Sequence, residues 1–319
     1  MNVNESLLPF FGRCTLDAYT SDVIGIPSLF ICTSFGGSVT ASQLPCRLPS
    51  WLYALSSCAY SLVSPNKPIG RVVHGGGQWP QYIPPRQGDS RCSCPALNVM
   101  ANHGLIPRDG KNIKFTELAA AIPRVYNLSS TFAFFLTSYA AFVLRRSYGT
   151  DQLDLADIDA HNCIEHDGSL TRVDTYDDQD QGKIAHELVD EVLRSGTGPS
   201  GNLTVPDLSR LLGKRRVEAK KRNPKFSLAL VHKVFASANG SMLLTVFGGR
   251  VDDLKSILGE ERLPEGWEPC VRHRMGLTIL EFNFTAIPVE LNIKEEVDGS
   301  VARAGRERYL QDKETKEKD

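Results

Sequence analysis

The amino-acid sequence predicts a mainly α protein, built as a single helical domain with a few short strands. From residue 94 to residue 260, successive segments open near Ser, Asp or Pro and close near Gly, Asn or Pro, as helices do. Segments rich in β-forming residues are few. With 319 residues, of which 41% are hydrophobic, the chain can bury one substantial core.

The expected elements follow in order along the chain. Helices are predicted over residues 95 to 103, 114 to 122, 128 to 146, 182 to 195, 206 to 222, 228 to 238 and 251 to 260. Strands are predicted over residues 242 to 248 and 275 to 284. The apolar run at 131 to 144 is too short to cross a bilayer core of about 30 Å, so we expect a buried helix there and no membrane span.

The two ends of the chain differ from this helical part. Residues 1 to 70 are rich in Ser, Leu, Cys and Pro with few charges, and we expect an N-terminal extension of uncertain order. Residues 71 to 292 form the predicted domain, which begins with a Gly- and Pro-rich arm over residues 72 to 91. Residues 293 to 319 form a charged tail. No basic cluster precedes the first apolar stretch, so the sequence shows no clear export signal and leaves the localisation open.

The charge balance bears on the class of partner. The chain carries 36 basic and 37 acidic side chains, for a net charge of -1. No overall field attracts it to nucleic acid or to anionic lipid, so we expect small-molecule or protein partners. The oligomeric state stays open.

Cys94 is the first candidate functional residue. It directly precedes Pro95, and proline fits the first position of a helix. With Cys94 as the N-cap, the free amides of Ala96 and Leu97 point toward the sulfur and favour a thiolate of lowered pKa. A thiolate attacks electrophiles or binds metals. An inert cysteine at a loop-to-helix junction, or a nucleophile paired with a histidine, remains an alternative.

The segment EHDGSLTR is the second candidate. Glu165 and Ser169 are four residues apart, and on a helical turn they would offer two oxygen ligands to a hard cation such as Mg²⁺. His166 lies beside Asp167, and a carboxylate neighbour can tune a histidine as an acid or base. The alternative is a solvated acidic loop.

Together these stretches resemble the fungal heme-thiolate peroxidases, the family of chloroperoxidase and the unspecific peroxygenases. The resemblance rests on SCPALN at 93 to 98, ANHGLIPRDGKNI at 101 to 113 and EHDGS at 165 to 169, in this order, and it covers about residues 79 to 288. It implies a single helical domain that binds heme b, with Cys94 as the iron ligand at the Ala96 and Leu97 amides. The thiolate donates electron density that favours O–O cleavage.

The resemblance also implies a second metal and an acid–base group. Glu165, Ser169 and the His166 carbonyl, with a heme propionate, would hold Mg²⁺ or Mn²⁺. The His166 ring would face the distal pocket and be positioned by Asp167.

Two departures from the family pattern stand out. Ser93 replaces a proline of the cysteine motif. The family also places a glutamate over the heme, but the corresponding window at 234 to 249 has no carboxylate and puts Asn239 there. An amide is no general base, and losing such a group costs ~10²–10⁴-fold in rate unless His166 substitutes. Glu260 and Glu261 lie beyond this window, so we expect them to be structural.

The expected function is that of a heme-thiolate peroxidase or peroxygenase that uses hydrogen peroxide on a small organic substrate. The resemblance extends to peroxidases of fungal mycotoxin pathways such as sterigmatocystin biosynthesis, which implies an aromatic polyketide substrate. Two alternatives remain: a heme-dependent lyase or isomerase that works through His166, and a heme-binding protein without turnover.

Overall fold

Helices make up most of the chain described by the computed structural model, which covers residues 78–272 and 274–295. Within these residues there are eight α-helices: α1 (Pro95–Asn102), α2 (Phe115–Tyr126), α3 (Ser130–Val143), α4 (His186–Arg194), α5 (Val205–Arg222), α6 (Leu230–Thr245), α7 (Val251–Gly259) and α8 (Ile279–Leu291). The mainly α prediction is confirmed, and the first five helices and α7 lie close to their expected positions.

The short sheet closes the loop that precedes α2. Strands β1 (Ile113–Lys114) and β2 (Gln152–Leu153) pair antiparallel, with Ile113 opposite Leu153. Both of these side chains are buried in the core. A short 3-10 helix, Leu155–Asp159, follows β2 and leads toward the second candidate site.

The strand predicted over residues 242 to 248 was wrong. Helix α6 continues through that segment to Thr245. Its buried positions His232, Ala236 and Gly240 recur every four residues, which is a helical period. The face they form packs against α8 and α5, and this packing outweighs the β propensity of the sequence MLLTVF.

The strand predicted over residues 275 to 284 was also wrong, because α8 occupies most of it. Thr278 caps this helix: its side chain accepts a hydrogen bond from the Glu281 amide, and the Glu281 carboxylate accepts one from the Thr278 amide at 2.9 Å. This reciprocal capping box is an N-terminal helix signal. The apolar content of the segment obscured it.

The core joins α5, α6 and α8 on one side and α2 and α3 on another. Arg216 of α5 forms an ion pair of 2.6 Å with Glu290 of α8, and the hydroxyl of Ser209 donates to the Val289 carbonyl at 2.8 Å. Helices α4 and α7 pack together, and α1 contacts α7.

The arm before α1 is extended where it is described. The Ile83 amide donates to the Asn102 carbonyl at 2.9 Å. His103 Nδ1 donates to the Pro80 carbonyl at 2.7 Å, while its Nε2 accepts from the Leu263 amide at 3.0 Å. His103 therefore ties the arm to the end of α1.

The predicted extension at residues 1 to 70 and most of the predicted tail, residues 296 to 319, lie outside the described residues. The described residues belong to one compact unit. None of the helices among them has the length and apolarity needed to cross a membrane.

Candidate active site

Cys94 occupies the N-cap of α1, as the sequence predicted. Its backbone is extended, with φ -84° and ψ 104°, and Pro95 takes the first helical position. The side chain is partly buried and carries a free thiol. The turn is held in place because the Ser93 amide donates to Asp159 Oδ1 at 2.9 Å, and Tyr126 Oη donates to the Ala96 carbonyl at 2.7 Å.

Two opposing effects act on the pKa of the Cys94 thiol. Burial raises this pKa, while the backbone amides of Leu97 and Ala96 lower it, and burial is the larger effect. The expected contribution of the helix N-terminus is thus present, but the expected net lowering was wrong. Desolvation disfavours a bare thiolate more than two amides favour it, so a cation at the sulfur is what would offset the cost.

A buried polar network holds the backbone of this turn. It consists of Cys92, Asn98, Arg172 and Glu261, and we call it the cysteine-side network. Asn98 accepts from the Cys92 amide at 3.0 Å and donates to the Cys92 carbonyl at 2.7 Å. Glu261 Oε1 in turn accepts from Asn98 at 2.8 Å and from Arg172 at 2.6 Å.

Arg172 is the charged centre of this network. It is 1% exposed, and its guanidinium also donates to the carbonyls of Gln181 and Thr171. Its partner Glu261 has φ 49°, a left-handed conformation that costs a non-glycine residue energy. A buried and strained glutamate that makes an ion pair holds structure, which agrees with the role expected for Glu261.

The second candidate segment is a turn, not a helix, so the helical face expected for Glu165 and Ser169 does not form. Gly168 takes φ 76°, which lets the chain fold back. As a result the Ser169 hydroxyl lies 3.2 Å from the His166 carbonyl oxygen, to which it donates. The turn therefore brings these two predicted oxygen ligands together by another route.

Glu165 is buried at 3% exposure. Its Oε2 lies 2.7 Å from His161 Nδ1, while its Oε1 has no hydrogen-bond partner. Burial raises the pKa of this carboxyl more than His161 lowers it. One oxygen of the predicted metal ligand is thus available.

His166 and Asp167 are both buried, and they contact each other through the backbone. His166 Nδ1 lies 2.9 Å from the Asp167 carbonyl oxygen, so Nδ1 carries the proton and Nε2 is a free acceptor. The Asp167 carboxylate does not hold the ring: its Oδ2 accepts from the Ser227 amide at 2.8 Å, and its Oδ1 has no partner.

The electrostatics of this pair follow from burial. Burial lowers the pKa of His166 to about 4 and raises that of Asp167 to about 6. The His166 ring is therefore neutral near pH 7 and able to accept a proton at Nε2.

Sequence reasoning missed His232, on the first turn of α6. Its ring stacks on His166 with centroids 6.3 Å apart and an interplanar angle of 27°. The side chain is 2% exposed, and burial lowers its pKa more than hydrogen bonds with the backbone of Cys163 and Asn162 raise it. No local motif marks this residue, because its partner lies far away in the sequence.

Comparison with known proteins identifies the family to which the chain belongs. The model of the family described as "Peroxidase, family 2" matches residues 80–271, which is more than half of the chain. The chain belongs to peroxidase family 2. The resemblance deduced from the cysteine and EHD motifs is confirmed.

Three relatives illustrate the breadth of family 2. The chain is 26% identical to a dothistromin biosynthesis peroxidase of Dothistroma septosporum over 57% of its length and 53% of the relative. It is 26% identical to an aromatic peroxygenase of Coprinellus radians over 60% of its length and 79% of that protein. It is 36% identical to chloroperoxidase of Leptoxyphium fumago over 29% of its length and 26% of that enzyme. The chain thus spans about half the length of the first of these relatives.

Chloroperoxidase and the peroxygenases of family 2 are heme-thiolate proteins, and the donor set of this chain fits a heme. A free thiol stands at a helix N-terminus, and its turn is held by the fully bonded cysteine-side network. On the histidine side, Glu165 Oε1, His166 Nε2 and Asp167 Oδ1 are buried without partners. Native proteins rarely bury so many polar atoms unpaired unless a ligand completes them.

Asn239, expected in place of the family's glutamate, lies on α6 seven residues after His232. Two helical turns separate them, so both residues project from the same side of the helix about 10 Å apart. Unlike His232, Asn239 is exposed. His232 is thus the α6 residue that contacts His166.

Proposed function

We propose that this chain is a heme-thiolate peroxidase or peroxygenase that uses hydrogen peroxide to oxidise a small organic substrate. The observation that carries the proposal is Cys94, a free thiol at a helix N-terminus in a chain that belongs to a family of heme-thiolate enzymes. The cysteine-side network holds the backbone next to this thiol through hydrogen bonds.

Cys94 is the proposed ligand of heme iron. The Ala96 and Leu97 amides stabilise charge on its sulfur, and iron would offset the desolvation that raises the pKa of the free thiol. When bound, a thiolate-ligated heme supplies the oxidising chemistry that begins with cleavage of the peroxide O–O bond. Asn98, Arg172 and Glu261 keep the sulfur in one position by fixing the backbone of Cys92.

His166 is the proposed acid–base group. Its Nδ1 proton is held by the Asp167 carbonyl, which leaves Nε2 to accept a proton from a bound substrate or peroxide and to return it. Asp167 acts by positioning this ring. The Asn239 side-chain amide donates and accepts hydrogen bonds but does not titrate, so we infer that it orients a small ligand.

The proposed divalent cation, Mg²⁺ or Mn²⁺, binds at Glu165, Ser169 and the His166 carbonyl. In support of it, Ser169 Oγ and the His166 carbonyl oxygen are 3.2 Å apart and Glu165 Oε1 is unpaired. All three donors are oxygens, as hard cations prefer.

The proposed substrate is an aromatic polyketide of a fungal mycotoxin pathway. A relative carries the name dothistromin biosynthesis peroxidase and another the name aromatic peroxygenase, which supports an aromatic compound. One turn beyond His232, Phe235 packs edge-on against Tyr139 at 5.2 Å, and Tyr139 stacks on Phe135. These rings offer apolar surface next to the histidine pair.

The test is the absorption spectrum of the heme-loaded, dithionite-reduced full chain under carbon monoxide. A Soret band shifted far to the red is expected, and Cys94→Ala should abolish it. Cys92→Ala is the matched control, because it removes a buried thiol two residues away and should keep the band. A band typical of histidine ligation, or a band unchanged in Cys94→Ala, would refute the assignment.

A second candidate keeps the heme without oxidation: a lyase or isomerase that works through His166. The amide at Asn239 favours it, since the family's acid–base carboxylate is missing there. Turnover that proceeds equally well with and without hydrogen peroxide would select this candidate. Heme uptake without any turnover would select a heme-binding protein.

A further inference from the structure

Cys270 lines an open surface cavity of about 460 Å³, and none of the candidate site residues described above lines this cavity. Cys270 carries a free thiol and is exposed. Of the other cysteines that the structure describes, Cys92 and Cys163 are buried and Cys94 is half-buried. Cys270 is therefore the described cysteine that a reagent in solution reaches most easily.

The backbone around Cys270 gives its sulfur a defined position. The Cys270 amide donates to the Val246 carbonyl at 2.8 Å. Gly248 has a φ of 70°, and a Cβ atom at this residue would lie 2.4 Å from Cys270 Sγ. Glycine is needed at this turn both for its left-handed backbone and for the space that the sulfur occupies.

Arg250, the N-cap residue of α7, contacts this thiol. Its Nη1 donates to Cys270 Sγ at 2.8 Å, while its Nε donates to Asp253 Oδ2 at 2.5 Å. The thiolate is the nucleophilic form of cysteine, and reactive cysteines are accessible to solvent and lie beside a cationic group. Cys270 meets both conditions.

The same cavity is lined by a residue with an unused hydrogen-bond donor. Trp267 is 3% exposed, and its indole Nε1 is buried without a partner among the described residues. Buried donors are nearly always paired, so an unpaired donor in the wall of a cavity indicates a ligand with an acceptor atom. Trp267 and Arg250 thus favour an oxygen-bearing group beside Cys270.

The charges that line the cavity favour an uncharged reagent. Asp253, Glu265 and Glu268 are acidic, whereas Arg250 and Arg272 are basic and form ion pairs with Asp253 and Glu268. One negative charge is left over, which disfavours anionic reagents such as glutathione disulfide. Hydrogen peroxide is small and uncharged, and it meets no such repulsion.

We propose that Cys270 is a modification site at which hydrogen peroxide oxidises the thiol to a sulfenic acid, and that Arg250 activates this thiol. The sulfur attacks one peroxide oxygen, so that an S–O bond forms and the O–O bond breaks. Hydroxide leaves and takes up the proton that the thiol released, which gives water. The sulfur loses two electrons and the peroxide gains them. A second thiol can condense with the sulfenic acid to a disulfide, so the modification is reversible.

This reaction goes beyond the proposed function and shares with it only hydrogen peroxide, because it needs no heme. The experiment treats the heme-loaded full chain with hydrogen peroxide, traps sulfenic acids with dimedone and identifies the labelled peptides by mass spectrometry. Cleavage after Arg262 and Arg272 releases residues 263 to 272, in which Cys270 is the sole cysteine. We expect label on this peptide and none on the buried Cys163. Cys270→Ser should abolish the label.

Two further variants test the role of Arg250. Arg250→Gln keeps an N–H donor but loses the charge, so the labelling rate should fall by about 10-fold, the scale on which a hydrogen bond to a charged group acts. Arg250→Lys keeps the charge and should be labelled faster than Arg250→Gln. Arg272→Gln is the matched control, because it removes the other guanidinium that lines the cavity and should be labelled at the wild-type rate. Far-UV circular dichroism checks that every variant is folded.

Three results would overturn the proposal: a Cys270 peptide without label, equal labelling rates in Arg250→Gln and wild type, or equal rates at Cys270 and Cys163. Cys94→Ala, which should lose the red-shifted Soret band, should still be labelled at Cys270. Loss of the label in Cys94→Ala would contradict a reaction that needs no heme. A missing Soret band in the wild-type chain would count against the proposed function alone and leave the labelling result standing.

Discussion

The two halves of the candidate site satisfy their buried polar atoms in opposite ways. In the cysteine-side network, Asn98, Arg172 and Glu261 bond one another and the backbone around Cys92. On the histidine side, Glu165, His166 and Asp167 each keep one buried atom unpaired. A satisfied network fixes a position before any ligand arrives, whereas unpaired atoms are free to bind one. We conclude that hydrogen bonds fix the backbone around the thiol, whereas the donor atoms on the histidine side remain available to a ligand.

The largest effect is expected from removing one partner of the buried ion pair in the cysteine-side network. Glu261→Ala leaves the Arg172 guanidinium buried without its carboxylate, and the free energy of unfolding should fall by about 3–5 kcal/mol. Urea unfolding measures this loss. Glu260→Ala is the control, since it removes a neighbouring exposed ion pair to Arg262 and should cost less than about 1 kcal/mol. Equal losses in the two variants would contradict the central place given to Arg172.

Substitutions on the histidine side should lower the activity of the protein rather than its stability. His232→Phe keeps a ring of similar size against His166 but removes both nitrogens. Peroxide-dependent turnover should fall by about 10²-fold, the lower end for an acid–base contribution, while the red-shifted Soret band stays. His186→Phe, at an exposed position, should leave turnover unchanged. If His232→Phe turned over at the wild-type rate, the stacked ring would be structural only.

A substitution at Asn239 is expected to increase activity rather than reduce it. Asn239→Glu restores the carboxylate that the family pattern places there, and peroxide-dependent turnover should rise by roughly 10-fold, short of the ~10²–10⁴-fold of a fully positioned group. Asn239→Gln matches the length of the new side chain without its charge and should give no gain. An equal rate in both variants would argue that Asn239 is not at the family's acid–base position.

The smallest expected effect is a pH dependence on the cysteine side. Burial raises the pKa of Asp159 to about 6, above the value of about 3.9 in an unfolded chain. The stabilisation from its protonated form is therefore complete below about pH 4 and is lost as the pH rises through 6. Asp159→Asn, which still accepts from the Ser93 amide, should gain stability relative to wild type between pH 4.5 and pH 7.5.

Urea midpoints at these two pH values measure the Asp159 effect. Asp151 is exposed, and the Ser147 amide and the Thr150 hydroxyl lower its pKa. The stabilisation that goes with a lowered carboxyl pKa is already complete above about pH 4, so the stability of Asp151→Asn relative to wild type should stay nearly constant between these two pH values. A relative stability of Asp159→Asn that does not change with pH would contradict the assignment.

Local signals in the sequence were sufficient for much of the fold. Pro95 after Cys94 predicted the start of α1, and residues typical of helix starts and helix ends predicted most of the other helices. The strands expected at 242 to 248 and 275 to 284 were wrong because packing of α6 against α8 and α5 outweighed local β propensity. The Thr278 capping box was a readable signal that apolar content obscured.

For the site, the sequence by itself determined the two motifs: the thiol at a helix N-terminus and the order Glu165, His166, Asp167, Ser169. Only the tertiary structure decided what surrounds them. It paired Arg172 with Glu261 near the thiol, stacked His232 on His166, and placed His161 against Glu165. The physical reason is that caps and turns are set by neighbouring residues, whereas burial, pKa shifts and ring stacking depend on residues that are distant in the chain and meet only when the core packs.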